Sequence, residues 1–123
     1  MKNAQRISFL FLLIVFAACA TINESATLAG KWRLTETLAD PGDGSGKWNP
    51  VTKESYLTFN NDGTVTSTES PNYQSYTIAD STKLEFTLTD GRKQVVAYRM
   101  EGPALIITPQ CIEACGSKYM RVN

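Results

Sequence analysis

One stretch decides the fold class: residues 82–89, Thr-Lys-Leu-Glu-Phe-Thr-Leu-Thr. Its apolar side chains occupy every second position, which is the periodicity of a β-strand with one buried face. The next two residues, Asp90-Gly91, are typical of a two-residue hairpin turn. Residues 92–101 then resume a β-type pattern. The stretch therefore predicts an antiparallel hairpin.

The same kind of run recurs along the chain between turn residues. Beyond residue 18, no segment keeps a 3.6-residue period. We predict an all-β domain, an eight-stranded antiparallel up-and-down barrel, because closure removes exposed strand edges. A sandwich of two four-stranded sheets is the alternative. The predicted strands are residues 31–39, 55–60, 64–68, 73–79, 82–89, 92–101, 104–108 and 117–122.

Alternation also predicts which side chains face the interior. In the first strand, Trp32, Leu34 and Leu38 share one face. An eight-stranded barrel is only just wide enough for side chains or one small ligand. A barrel filled by its own core is therefore as well supported as one with a cavity. The predicted interior is Trp32, Leu34, Leu57, Phe59, Val65, Tyr76, Ile78, Leu84, Phe86, Leu88, Val96, Tyr98, Leu105, Ile107, Met120 and Val122.

The N-terminal residues carry a targeting pattern. Lys2 and Arg6 precede a short apolar run, which is typical of a secretory signal peptide at residues 1–18. Residues 16–19, Phe-Ala-Ala-Cys, resemble a bacterial lipobox, which implies that Cys19 is lipidated and becomes the new N-terminus. Ordinary cleavage after Ala18 or Ala20, or an uncleaved anchor, are the alternatives. Residues 19–29 then form a tether and residues 30–123 the barrel domain.

Composition argues against several classes of function. Twelve basic residues balance 12 acidic ones, so no positive surplus favours nucleic acid. The chain contains no histidine, which removes the commonest general base and metal ligand. No nucleophile–base pair and no phosphate-binding glycine loop is evident. We expect a monomer that is not an enzyme and that carries no cofactor or metal.

The three cysteines agree with the lipobox. If Cys19 carries lipid, Cys111 and Cys115 remain as a pair in an oxidising compartment. Their spacing differs from the Cys-x-x-Cys of redox proteins. We expect a structural disulfide between Cys111 and Cys115.

One short motif resembles the lipocalin signature. Gly30-Lys31-Trp32 begins the first predicted strand, and Arg121 lies in the last. In lipocalins the tryptophan closes the barrel floor and an arginine lies over it, so the resemblance implies a floor made by Gly30, Trp32 and Arg121. Residues 28–123 are most similar to small lipocalin-like lipoproteins of the Bacteroidetes type, which share a loop like residues 43–48 and a Cys-Ile-Glu-x-Cys segment.

The lipocalin topology implies that the loop at residues 40–53 hangs over the barrel mouth, so Trp48 stands at a ligand entrance or packs back on its own loop. Calcium binding by Asp40, Asp43 and Ser45 is less well supported, since the loop lacks the glutamate of an EF-type site. The predicted mouth residues are Leu38, Trp48, Leu57, Tyr73, Leu88 and Val96.

These features predict a lipid-anchored protein of the cell envelope that binds a small apolar or amphipathic molecule at its membrane-distal end. The alternative is a filled barrel that contacts another envelope component. Residues 20–24 lack the acidic cluster that marks surface export in similar lipoproteins. We therefore expect the periplasmic face of the outer membrane.

Overall fold

The computed structural model describes residues 28–69 and 72–123. Cys19 and most of the predicted tether lie outside these ranges. No helix within them is long and apolar enough to cross a bilayer. The strands are β1 (Gly30–Ala39), β2 (Lys47–Pro50), β3 (Tyr56–Phe59), β4 (Val65–Ser67), β5 (Tyr73–Asp80), β6 (Lys83–Leu88), β7 (Lys93–Glu101), β8 (Ala104–Thr108) and β9 (Cys115–Val122).

All of these strands except β2 form one nearly closed antiparallel barrel. Its hydrogen-bonded order is β4-β3-β1-β9-β8-β7-β6-β5, so the first strand lies between the last strand and β3. An isolated bridge between Thr64 and Ser75 joins β4 to β5 across the remaining seam. The predicted eight-stranded up-and-down barrel is confirmed.

The short strand β2 corrects the prediction of an unbroken loop at residues 40–53. On one edge of β1, strand β3 pairs only with the first residues, from Gly30 to Arg33. Strand β2 pairs with the last part of the same edge, where Leu38 lies opposite Trp48. It supplies partners for backbone groups that would otherwise be unpaired. Its four residues are too few to show a period in the sequence.

A β-bulge at Thr35 reverses the alternation of β1. Leu34 lies opposite Tyr119, but the next pair joins Glu36 to Lys118, so two steps along β1 match one step along β9. Leu34 therefore faces the interior, whereas Glu36 and Leu38 face outward. The prediction that Leu38 shares the face of Trp32 and Leu34 is wrong for this reason.

The barrel core contains most of the side chains that alternation assigned to it. Met120 and Val122 are corrections, since Trp32 lies opposite Arg121 and Leu34 opposite Tyr119. Residues 119 and 121 therefore face inward, and Val122 is 37% exposed. The buried cluster is Leu28, Trp32, Leu57, Phe59, Val65, Tyr76, Leu84, Phe86, Val96, Leu105 and Ile107.

Candidate functional site

Trp32 and Arg121 close one end of the barrel. The indole of Trp32 is fully buried, and its Nε1 donates a hydrogen bond to the carbonyl of Leu28 at 2.8 Å. The guanidinium carbon of Arg121 lies 4.3 Å from the centre of the indole ring. Such a cation–π contact contributes about 1 kcal/mol. Arg121 also donates to the carbonyl of Ala29 at 2.6 Å. The structure thus brings together the two residues that the sequence placed at a floor.

Two further residues complete this floor. Gly30 has a φ of +129°, and a Cβ there would lie 2.7 Å from Nη1 of Arg121. The position therefore needs glycine for its backbone and for the approach of the arginine. Leu28, assigned above to the tether, is 1% exposed and belongs to the core cluster. The packed domain thus includes Leu28.

Aromatic rings fill the middle of the barrel. Phe59 meets Tyr76 edge to face with ring centres 4.9 Å apart, and its ring centre lies 6.1 Å from that of Phe86. Tyr73 stacks on Phe86 at 4.1 Å. The predicted mouth residues Leu88 and Val96 belong to this filled region, being 9% and 1% exposed. These side chains pack the interior between the floor and Tyr73.

Beyond Tyr73 the interior opens into a cavity of about 220 Å³, which we call the mouth cavity. It lies at the end opposite Trp32, where β1, β4, β6 and β8 end and the strands paired with them begin. Of the predicted ligand residues, Leu57 and Tyr73 line it. The lining residues are Leu34, Ser55, Tyr56, Leu57, Ser67, Glu69, Tyr73, Gln94, Ile107, Pro109, Ser117 and Tyr119.

The mouth cavity has an apolar wall and several hydrogen-bonding groups. Burial raises the pKa of the Tyr119 phenol to about 12; the nearby Tyr73 and Glu69 add to the rise, and a hydrogen bond with Ser117 opposes it. Burial likewise raises the pKa of Tyr73. Both phenols therefore stay protonated at neutral pH, when each can donate and accept a hydrogen bond.

Tyr119 is the main residue of this site that sequence reasoning missed. The strand was assigned with Met120 and Val122 inward, although an Arg121 that lies over Trp32 must share the inner face. Because side chains alternate, that contact already requires residue 119 to face inward. The polar residues Ser55, Gln94 and Ser117 were missed because only apolar residues were sought at the mouth.

The structure does not bring Leu38 and Trp48 to the mouth cavity. They lie on the outside of the barrel, in a second depression of about 410 Å³ that we call the outer groove. A Cβ on Gly116 would lie 3.0 Å from the Trp48 ring, and the ammonium of Lys118 lies 4.7 Å from its centre. Trp48 therefore packs against the outer wall of β9. The outer groove is lined by Leu38, Trp48, Arg99, Ile106, Thr108, Pro109 and the disulfide loop, Cys111–Cys115.

The carboxylates considered for calcium are used within their own loop. Asp40 accepts hydrogen bonds from the amides of Gly42, Gly44 and Gly46. The bond from Gly42 contributes most to lowering the Asp40 pKa. Asp43 accepts from the amide and the hydroxyl of Ser45. In the described ranges, no three acidic, histidine or cysteine side chains are grouped to hold a metal ion.

The disulfide between Cys111 and Cys115 is confirmed. Their Cα atoms are 6.2 Å apart, which is within the usual range for a disulfide. The bridge closes the turn between β8 and β9 at the mouth end. Pro109, in the same turn, lines both the mouth cavity and the outer groove.

Comparison with known proteins identifies the family of the barrel. The family model described as "Lipocalin-like domain" matches residues 28–106, more than half of the chain. The match begins at the floor residue Leu28 and ends within β8, so Tyr119 and Arg121 lie beyond it. Neither a curated protein nor a solved structure matches the chain.

Proposed function

This chain belongs to the lipocalin-like domain family, and from that premise we propose that it binds a small amphipathic molecule in the mouth cavity. The observation that carries the proposal is the cavity at one end of a barrel whose core is otherwise packed. Leu34, Leu57 and Ile107 offer an apolar wall to such a ligand, and the phenols of Tyr73 and Tyr119 offer hydrogen bonds.

The size of the cavity limits the ligand. Its 220 Å³ corresponds to about seven water molecules at their liquid volume. Pockets for drug-sized ligands are larger, at about 300–1,000 Å³. The ligand is therefore a short molecule, or a longer one that inserts only its end.

Titration with a short alcohol tests this function. The titration adds n-hexanol to the mature full-length chain, which is held in lipid nanodiscs and carries ¹³C-labelled tyrosine rings. Binding is expected to shift the ring signals of Tyr73 and Tyr119. Gln94→Trp should abolish these shifts, because Gln94 lines the cavity and the indole would occupy it. Thr108→Trp places the same ring in the outer groove and should leave the shifts intact.

Two other results would count against the mouth cavity. If Thr108→Trp loses binding while Gln94→Trp keeps it, the ligand binds in the outer groove instead. Absence of binding by the unmodified chain would favour the alternative, an interaction protein with a filled barrel. One observation supports that alternative: Ile112, on the rim of the outer groove, is fully exposed, as an apolar contact residue would be.

The proposal also includes an anchor in the outer membrane through lipidated Cys19, facing the periplasm. The lipobox-like residues 16–19 support it. The chain enters the barrel at the floor through Leu28, so a tether there would leave the mouth cavity facing away from the bilayer.

Labelling with an alkyne fatty acid in a Gram-negative host tests the anchor. We expect label on the unmodified chain, its recovery with outer membranes, and protection from protease added to intact cells. Cys19→Ser should lose both the label and the membrane association, because the thiol that carries the lipid is gone. Cys111→Ser is the matched control and should keep both. Label that persists in Cys19→Ser would refute lipidation at this residue.

A further inference from the structure

The charge that lines the mouth cavity is negative. Within the described ranges, Glu69 is the only charged residue that lines it, and no lysine or arginine does. Glu69 is ion-paired with Lys53, whose ammonium lies 2.9 Å from Oε1 of the carboxylate. The Lys53 side chain is 78% exposed and that of Glu69 is 40% exposed, so the cation lies farther toward solvent than the carboxylate. A ligand in the cavity therefore meets the negative partner of the pair.

The other polar groups of the cavity are neutral. The hydroxyls of Tyr73, Tyr119 and Ser117 can donate or accept hydrogen bonds, so they do not distinguish an alcohol from an amine. An anionic ligand, by contrast, would lose water without gaining a cation. Glu69 already disfavours negative charge here, because, after burial and the nearby Tyr73, it adds to the rise in the pKa of the Tyr119 phenol.

We propose that the mouth cavity selects amphiphiles with a protonated amine, accepts uncharged alcohols less well and rejects carboxylates, with Glu69 as the residue that sets this order. The inference rests on the proposed function and names its ligand class. The ammonium of the ligand joins Lys53 beside Glu69. Both can be accommodated because a carboxylate accepts at either of its two oxygens, and Lys53 contacts Oε1.

Three probes of equal length test the order: n-hexylamine, n-hexanol and hexanoate. Each is titrated at neutral pH into the full-length chain in phosphatidylcholine nanodiscs, which carry no net charge, with empty nanodiscs as the blank. The amine should bind with a Kd about fivefold lower than that of the alcohol, as expected for an ion pair near the surface. Hexanoate should bind more than about tenfold more weakly than the alcohol.

A pair of glutamate variants assigns the order to Glu69. In Glu69→Gln, the Kd ratio of alcohol to amine should fall to about one. Glu101→Gln makes the same change in another exposed ion pair, with Arg99. Glu101 does not line the cavity, so this variant should keep the fivefold ratio.

The possible results distinguish a failure of the amine selectivity from a failure of the proposed binding function. If hexanoate binds as tightly as the amine, or if Glu69→Gln keeps the amine preference, the selectivity is wrong while the binding function stands. If the unmodified chain binds none of the three probes, the proposed function itself is overturned.

Discussion

Trp32→Ala is expected to lower the free energy of unfolding by about 4 kcal/mol, as large aromatic truncations in cores do. The fully buried indole fills the floor, donates to the carbonyl of Leu28 and carries the Arg121 guanidinium on its face. Alanine removes all three interactions and leaves a cavity. A loss of this size is a large share of the 5–15 kcal/mol that stabilises a typical domain.

Urea unfolding followed by circular dichroism measures this loss, and the second tryptophan provides the control. Trp48→Ala deletes the same side chain from the outer wall of the barrel, where the ring is only half-buried. It should cost about half as much, because less apolar area returns to water. Equal losses at the two positions would mean that Trp32 has no special structural role.

Gly30→Ala is expected to lower the free energy of unfolding by about 3 kcal/mol. Two effects contribute to this loss. A φ of +129° is strained for any residue with a side chain, and the new Cβ would lie 2.7 Å from Nη1 of Arg121. The arginine must therefore move away from the carbonyl of Ala29 or from the Trp32 ring.

Two comparisons separate the backbone strain from the steric effect. Gly91 also has a positive φ, but no atom lies within 4 Å of a Cβ built there, so Gly91→Ala should cost only about 1 kcal/mol. When Arg121→Ala is already present, Gly30→Ala should lower the free energy of unfolding by only about 1 kcal/mol. The atom that the new Cβ would meet, Nη1 of Arg121, is then absent. An unchanged cost in that background would show that Arg121 does not explain the glycine.

The barrel was predictable because it depends on simple periodicity, and its floor because Gly30, Trp32 and Arg121 resemble the lipocalin signature. Alternation in residues 82–89 and turn residues such as Asp90-Gly91 identify antiparallel neighbours without further information. A meander of eight strands then brings β1 beside β9. The contact between Trp32 and Arg121 follows, since the start of one strand lies opposite the end of the other.

The mouth end of the barrel was less predictable, because a β-bulge and a very short strand determine which of its residues face inward. The extra residue at Thr35 leaves no mark in the sequence, since Thr fits either face of a strand. Without the bulge, Leu38 is assigned to the mouth. The resemblance to lipocalins, in turn, implies that Trp48 stands at an entrance or packs back on its own loop. Short β2 gives too few residues for a period, so its pairing with β1 emerges only from the structure.

The bulge at Thr35 decides which residues of β1 face the mouth cavity and which face the outer wall. If β1 kept Thr35 and paired with β9 without the bulge, every residue after Leu34 would turn to the opposite face. Leu38 would then point into the mouth cavity, and Glu36 would leave its 2.7 Å ion pair with Lys118. Deleting Thr35 removes the extra residue together with the bulge, so Glu36 and Leu38 would keep their outward positions. A chain one residue shorter at this point would therefore present the same cavity and the same outer wall.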